Sequence, residues 1–314
     1  MRLTILVLPF VLGWGLTLQT GTPAVPAGDP WLTKPVDDRT FNTYLDFFTY
    51  DRQLPLDLKV AKVEDDQGLR RERLSFQSTP GVRVTGILFQ GPAAAGTKPP
   101  GLILLHGGGP QGKDTAGMIR TAELLSRAGW SVLSLDLQYF GERSTQLLTT
   151  FSDKEKHDNL YNQPSVYLAW VEQVVKDIRR GIDLLVEQRG VDARRTGIVG
   201  ASRGAIVATI AAGVDRRLSP ALLLFAGHYD AGENNHLPAA CPANYIARIA
   251  PRPVLMINGT EDSDMIKDRA VEPLFKLAGQ PKQIVWTAGG HMFMTEENRA
   301  AMIQWLREQD KKAR

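Results

Sequence analysis

The chain holds a single cysteine, Cys241, in 314 residues, so no internal disulfide can form and the fold must be held by burial and hydrogen bonding. Histidines are also few, five in all, and none falls in a ligand spacing such as H-E-x-x-H or in a Cys/His cluster, so no metal and no other cofactor is expected. Runs of Lys/Arg and basic stripes interleaved with aromatics are absent, and the formal charge is only +3, which argues against a nucleic-acid partner. The pairs Arg194-Arg195 and Arg216-Arg217 read as solvated loop charges. Beyond the N-terminal region no apolar run is long enough to cross a bilayer. The bias of a disordered chain is missing too: 43% of residues are apolar and 23% charged, enough for a sizeable core.

What is present begins with Arg2, an apolar run from Leu3 to Leu18, and a stretch from Thr20 to Gly28 rich in Ala, Gly and Pro. This is the layout of a secretory signal peptide over residues 1–27, with a small residue at the junction if cleavage follows Ala24 or Ala27. The competing reading is an uncleaved anchor, but Pro9, Gly13 and Gly15 interrupt a run barely long enough to span. With no cysteine in the first 30 residues, lipoprotein-style anchoring there is excluded. The expectation is an exported protein, periplasmic or extracellular, with no stable membrane insertion after cleavage. Residues 28–70 mix charges with aromatics (Trp31, Phe41, Tyr44, Phe47, Phe48, Tyr50) without a clear period and read as a helical and extended lead-in.

From residue 71 to 314 the pattern sharpens into one main domain. Alternating residues on either side of Thr79-Pro80-Gly81 predict a β-hairpin. Short apolar runs then alternate with longer amphipathic stretches, as expected of an α/β fold with a mostly parallel central sheet of about eight strands and helices on both faces. Strands are predicted at 102–105, 131–135, 196–199, 221–225, 254–257 and 283–286, and helices at 115–128, 164–189, 203–213, 264–279 and 295–310. The intervals 137–163 and 227–250 exceed simple connections, and insertions of that size in compact domains are usually functional loops or lids.

The sharpest chemical signal is Gly200-Ala201-Ser202-Arg203-Gly204, a G-x-S-x-G between an apolar strand and a small-residue helix. A nucleophile on so tight a turn needs neighbours without bulk, and the following helix aims its N-terminus at the charge that develops on a reacting carbonyl. A serine hydroxyl is a poor nucleophile at neutral pH, so it requires a base, and the base an orienting acid. Asp262 follows the strand at 254–257, and His291 follows the strand at 283–286. The order Ser202, Asp262, His291 is the one expected when loops after parallel strands converge on one sheet edge. Asp264 competes for the acid role, although it would also serve as cap of the next helix, and Glu261 is a weaker candidate. An oxyanion hole would combine the N–H of Arg203 with one from His106-Gly107-Gly108-Gly109, Gly108 being preferred and Gly109 next. His106 reads as a brace for that loop. Candidate pocket residues are Tyr139, Phe140, Glu142 and Arg143 in one insertion and His228, Tyr229 and Asp230 in the other.

Together the segments L-I-L-L-H-G-G-G, L-D-L-Q-Y-F-G-E-R, G-I-V-G-A-S-R-G, A-P-R-P-V-L-M-I-N-G-T-E-D and G-G-H give a chain that resembles the α/β-hydrolase superfamily, and within it the dienelactone-hydrolase-like and acetyl-xylan-esterase-like bacterial serine esterases. The resemblance extends from about Phe48 onward. It implies hydrolysis of a small-molecule or saccharide ester through an acyl-enzyme, without a cofactor. Dienelactone hydrolases proper typically have cysteine where Ser202 stands, so their substrate is not implied. Two other readings compete: a prolyl-oligopeptidase-like serine peptidase, for whose propeller domain the stretch before His106 is too short, and a catalytically silent binding module, since a fold does not by itself prove chemistry.

Overall fold

The computed structural model describes residues 29–92 and 97–313, so the expected signal segment lies outside the described residues. Nine strands are found among them: β1 Lys59–Asp66, β2 Leu69–Thr79, β3 Val82–Gln90, β4 Gly101–Leu105, β5 Ser131–Leu135, β6 Thr196–Ala201, β7 Leu218–Leu224, β8 Val254–Gly259 and β9 Lys282–Thr287. They form one sheet in the order β1-β2-β3-β5-β4-β6-β7-β8-β9. The first three strands form an antiparallel ribbon that joins β5 antiparallel, and from β5 to β9 every pairing is parallel. The expected mostly parallel sheet is present with one strand more than about eight. The additional strand, β1, lies in the lead-in, where all eight of its residues are exposed and no apolar alternation marks it.

Side chains alternate across the sheet as pleating requires. Ile103, Leu105, Leu133 and Leu135 enter one apolar layer with α4 (Pro164–Gln188) and α5 (Arg203–Val214), where Trp170, Ile178 and Ile206 are buried. Their neighbours Leu102, Leu104 and Val132 enter the opposite layer, with Met118 and Leu125 of α2 (Ala116–Arg127) and Trp305 of α7 (Glu296–Ala313). Each such large side chain contributes on the order of 2 kcal/mol by leaving water. Helix α5 is buried along nearly its whole length and, apart from Arg203 and Thr209, built of small and apolar residues on every side, as a helix enclosed by its own protein should be. Smaller helices complete the layers: α1 (Asp38–Leu45), α3 (Asp153–Lys156) and α6 (Glu272–Leu277).

Two expectations need correction. The helix predicted at 264–279 is a π-type turn, Lys267–Val271, running into α6, because the chain from Asp262 to Met265 is held in a turn by the Asp262 carboxylate. The arginine pairs are not simply solvated: Arg195 makes a two-pronged pair with Asp310 at 2.6 and 2.7 Å, and Arg217 bridges Asp183 and Asp215 at 2.6 and 2.7 Å.

The turn after β6 presses α5 against the end of β4. A Cβ on Gly204 would lie 2.4 Å from the His106 carbonyl oxygen and 2.7 Å from that of Leu105, both rigid backbone. Gly204→Ala is therefore expected to destabilise the protein by about 2 kcal/mol or more. Urea unfolding checks this, and an unchanged midpoint would refute the packing argument.

Candidate active site

Ser202 occupies the turn between β6 and α5 with φ 54° and ψ −120°, a left-handed conformation rarely adopted by residues with a side chain. Such a conformation costs about 1–3 kcal/mol and persists only where its surroundings over-determine it. Here the Ser202 N–H donates to the Leu224 carbonyl at 2.8 Å, and the Ser202 carbonyl accepts from Ala205 and Ile206 as α5 begins. A Cβ on Gly200 would stand 2.4 Å from the Gly204 carbonyl oxygen, so both glycines are required for the turn to close.

The loops after β8 and β9 are stitched together by Thr260 N–H donating to Thr287 O at 2.9 Å and Glu261 N–H to Gly289 O at 3.0 Å. This brings His291 between the other two residues. Its Nδ1 lies 2.7 Å from Asp262 Oδ2 and its Nε2 lies 2.8 Å from Ser202 Oγ. Because a carboxylate only accepts, Nδ1–H is the donor to Asp262, which leaves Nε2 to accept from the serine hydroxyl. The ring is also braced edge-on by Phe225, centroids 5.8 Å apart. The Asp262 side chain is fully buried, and its other oxygen accepts from the N–H groups of Asp264 and Met265 at 2.9 and 2.8 Å. Asp264, by contrast, is exposed at the cleft rim, 3.8 Å from His291 Nε2, and does not cap the following helix, which starts beyond Ile266.

Behind Ser202 the glycine loop is fixed by His106, which is buried. Its Nδ1–H donates to the Gly107 carbonyl at 2.5 Å, and its Nε2 accepts from the Leu137 N–H at 3.0 Å. Gly107 is the glycine nearest the serine: a Cβ there would stand 3.6 Å from Ser202 Oγ. One on Gly108 would instead meet the Tyr161 hydroxyl at 3.3 Å, and Gly109 lies beside Gln111.

A cleft of about 450 Å³ opens over Ser202, walled by the three glycines, Met118, Phe151, Lys156, Tyr161 and Met265. Phe151, Lys156 and Tyr161 come from the part of the 137–163 insertion that no motif covers, where only the length of the interval points to a functional loop. Asp230 lines the cleft, but Tyr139, Phe140, His228 and Tyr229 do not. Phe140 is buried against His106 and Phe151, while the Tyr229 hydroxyl donates to the Ala240 carbonyl at 2.6 Å within the second insertion. Glu142 and Arg143 are drawn into ion pairs instead, with Lys113 and Asp177 at 2.5 and 2.7 Å.

Arg203, the first residue of α5, is almost fully buried beneath this wall. Its guanidinium lies 3.6 Å from the Tyr161 ring centroid, donates to the Tyr167 hydroxyl at 3.1 Å, and pairs with Asp230 and Glu233 at 2.7 and 2.5 Å. Burial pushes the Glu233 carboxyl up to about 8 against the pull of Arg203. Burial also acts to raise the Asp230 carboxyl, but Arg203 and His157 offset it and hold that group below the usual range. Two acidic side chains thus share one buried guanidinium, with burial opposing ionisation of Glu233 while Arg203 and His157 favour it for Asp230.

The sheet order, the helices on both faces and the strand-turn-helix at Ser202 define an α/β-hydrolase fold. Among solved structures the chain is similar to the acetyl xylan esterase from Paenibacillus sp. R4, at TM-score 0.65 and 16% identity over 89% of this chain and 98% of that one. It is also similar to a PEG-bound cold-adapted esterase from an Arctic intertidal metagenomic library, at 0.61 and 20% over 79% and 97%. A third, acetyl xylan esterase 1 from a Thermoanaerobacterium species, matches at 0.61 and 17% over 88% and 94%. Comparison with protein-family models and with curated proteins finds no match in sequence.

His106 carries a pH prediction. Burial holds its ring down to about 4, against 6.5 for a free histidine, so the folded protein refuses a proton that the unfolded chain accepts between those values. Stability should therefore fall as pH drops from 6.5 to 4, by an amount on the order of 3 kcal/mol from this residue. In His106→Gln the dependence of unfolding free energy on pH should flatten by one proton across that window; equal slopes would contradict the assignment.

Proposed function

We propose that the protein is an exported serine carboxylic ester hydrolase that cleaves small or acetyl esters, acetylated saccharides among them, through an acyl-enzyme on Ser202. The observation that carries this reading is the unbroken chain from the Asp262 carboxylate through His291 to the Ser202 hydroxyl, with links of 2.7 and 2.8 Å, at the floor of an open cleft. In the first half-reaction Ser202 Oγ attacks the ester carbonyl carbon while His291 Nε2 takes the hydroxyl proton. The imidazolium, stabilised and held in its tautomer by Asp262, passes that proton to the departing alcohol oxygen as the C–O bond breaks. Water then attacks the acyl-serine, giving a proton to the same nitrogen, and the acid leaves as the proton returns to Oγ.

The developing oxyanion is assigned to the N–H groups of Arg203 and Gly108. Arg203 opens α5, where the first N–H groups have no intrahelical acceptor. For Gly108 the support comes from peptide planarity: the Gly107 carbonyl turns inward to His106, so the N–H of the next residue, pointing the opposite way in the same trans peptide plane, turns away from His106 and toward the cleft. Gly109 is the weaker candidate, because the Gly108 carbonyl faces Lys156 at 3.4 Å and directs the following N–H away from that wall of the cleft. The cleft volume suits a small ligand, and Met118, Met265 and Phe151 offer an apolar face beside the charged Lys156, Asp153 and Asp230. A short acyl group with a hydroxyl-rich alcohol matches that division, and the acetyl xylan esterases of similar fold support it. Export rests on Arg2, the apolar run to Leu18 and the small residues that follow.

With p-nitrophenyl acetate, Ser202→Ala and His291→Ala should each lower kcat by at least about 10³-fold, and Asp262→Asn by a comparable factor, because the wrong tautomer is then held. Asp264→Asn should stay within a few-fold of the parent. A fluorophosphonate probe should label Ser202 alone. Full activity in Ser202→Ala would refute the proposal, and preference for aminoacyl amides over esters would point to a peptidase.

A further inference from the structure

Asp29, His228, His236 and Cys241 converge away from the cleft, their ligand atoms all within 4.8 Å of one another. We propose that these four side chains are a zinc site that fastens the start of the described chain to the 227–250 insertion. His228 Nε2 stands 3.2 Å from Cys241 Sγ and 3.3 Å from Asp29 Oδ2, His236 Nε2 stands 2.5 Å from the same oxygen, and Cys241 Sγ 3.9 Å from it. Donors at about 2.0–2.3 Å around a tetrahedral zinc ion stand roughly 3.3–3.7 Å apart, so these four separations each need a change below about 1 Å. One sulfur, two imidazole nitrogens and one carboxylate oxygen make a donor set suited to that borderline cation, and less so to magnesium or calcium, which prefer oxygen alone.

The surroundings fit a closed, structural centre. Cys241 is fully buried, and the His228 and Asp29 side chains are only 8% and 11% exposed, which leaves little room for an open coordination position. The second oxygen of Asp29 accepts from the Trp31 N–H at 2.8 Å, an outer contact that orients the carboxylate. Tyr229 packs on both imidazoles, with centroids 4.7 and 4.0 Å away, and so fixes their ring planes. Without a cation, the single Nε2 of His228 cannot bond well to Asp29 and Cys241 together, and two rings and a thiol crowd one carboxylate oxygen; a divalent ion satisfies all four at once. The spacing H-x7-H-x4-C matches no usual ligand motif, and the fourth ligand, Asp29, lies about 200 residues before the other three, so no metal can be read from local sequence.

The insertion so fastened is the one whose Asp230 and Glu233 hold Arg203 beside Ser202. The centre would thus stiffen a wall of the cleft without touching substrate. None of its four residues lines the cleft, so its test is independent of the ester-hydrolase reading.

The purified full-length protein should carry one zinc per chain through gel filtration, measured by plasma mass spectrometry, and Ser202→Ala should carry the same. Cobalt exchange should give a thiolate-to-cobalt charge-transfer band, which Cys241→Ser abolishes, while His236→Ala should weaken zinc binding by at least about tenfold. A strong chelator should lower the melting temperature of the parent protein, and zinc should restore it. Absence of stoichiometric metal after zinc dialysis, a cobalt spectrum without the thiolate band, or binding unchanged in Cys241→Ser would overturn the proposal. Should either variant fail to fold, the cobalt spectrum and chelator melt of the parent decide it.

Discussion

The structure depends on one steric constraint: Ser202 is held at a positive φ because the backbone on either side of it has nowhere else to go. A side chain on Gly200 would strike the carbonyl of Gly204, and one on Gly204 the carbonyls of Leu105 and His106 at the end of β4, so strand and helix meet only because both positions lack a Cβ. That closeness puts the serine hydroxyl above the sheet edge and brings the glycine loop after β4 alongside it. The loops after β8 and β9 then need only one short hydrogen-bonded stitch to bring Asp262 and His291 to the same point. The conformational cost at Ser202 is spread over the packing of α5, whose buried and, beyond Arg203, mostly apolar surface holds the turn closed.

Charge is handled with the same economy behind the cleft. Arg203 follows the serine and sits in a cage of two aromatic rings and the two acidic side chains of Asp230 and Glu233. A buried guanidinium without partners would be prohibitively costly, and a buried pair contributes less to stability than to fixing one arrangement. Here the fixed arrangement is the position of the 227–250 insertion relative to the first turn of α5. His106 plays the uncharged counterpart on the other side: burial keeps it neutral, one nitrogen donating to Gly107 and the other accepting from Leu137.

The parallel half of the sheet was legible in the sequence because its strands, covered on both faces, read as continuous apolar runs; β5 matches its predicted limits, Ser131 to Leu135. Strand β1 was not legible, since an exposed strand rich in Lys, Glu and Asp has no apolar face to alternate. Ser202, Asp262 and His291 could be selected because each follows a strand that a parallel sheet delivers to one edge. The pocket residues could not, because the insertions fold back on themselves: Tyr139 takes a positive φ, which turns Phe140 into the core, and Tyr229 faces Ala240. Lys156 and Tyr161, which do wall the cleft, come from a stretch with no periodicity to read. Asp29 stands beside His236 only through tertiary folding, which no local pattern encodes.

The exposed outer strand β1 has a consequence for how the molecule behaves among its own copies. Among the described residues β1 is the end strand of the sheet, so its outer side presents backbone groups with no neighbouring strand, an invitation to another extended chain. Lys59, Lys62, Glu64, Asp65 and Asp66 decorate that margin with both signs of charge, and a bulge between Val60 and Lys62 breaks its regularity. A ribbon so marked resists stacking edge to edge, which favours staying dispersed when crowded, and it does so on strands that supply none of the residues around Ser202.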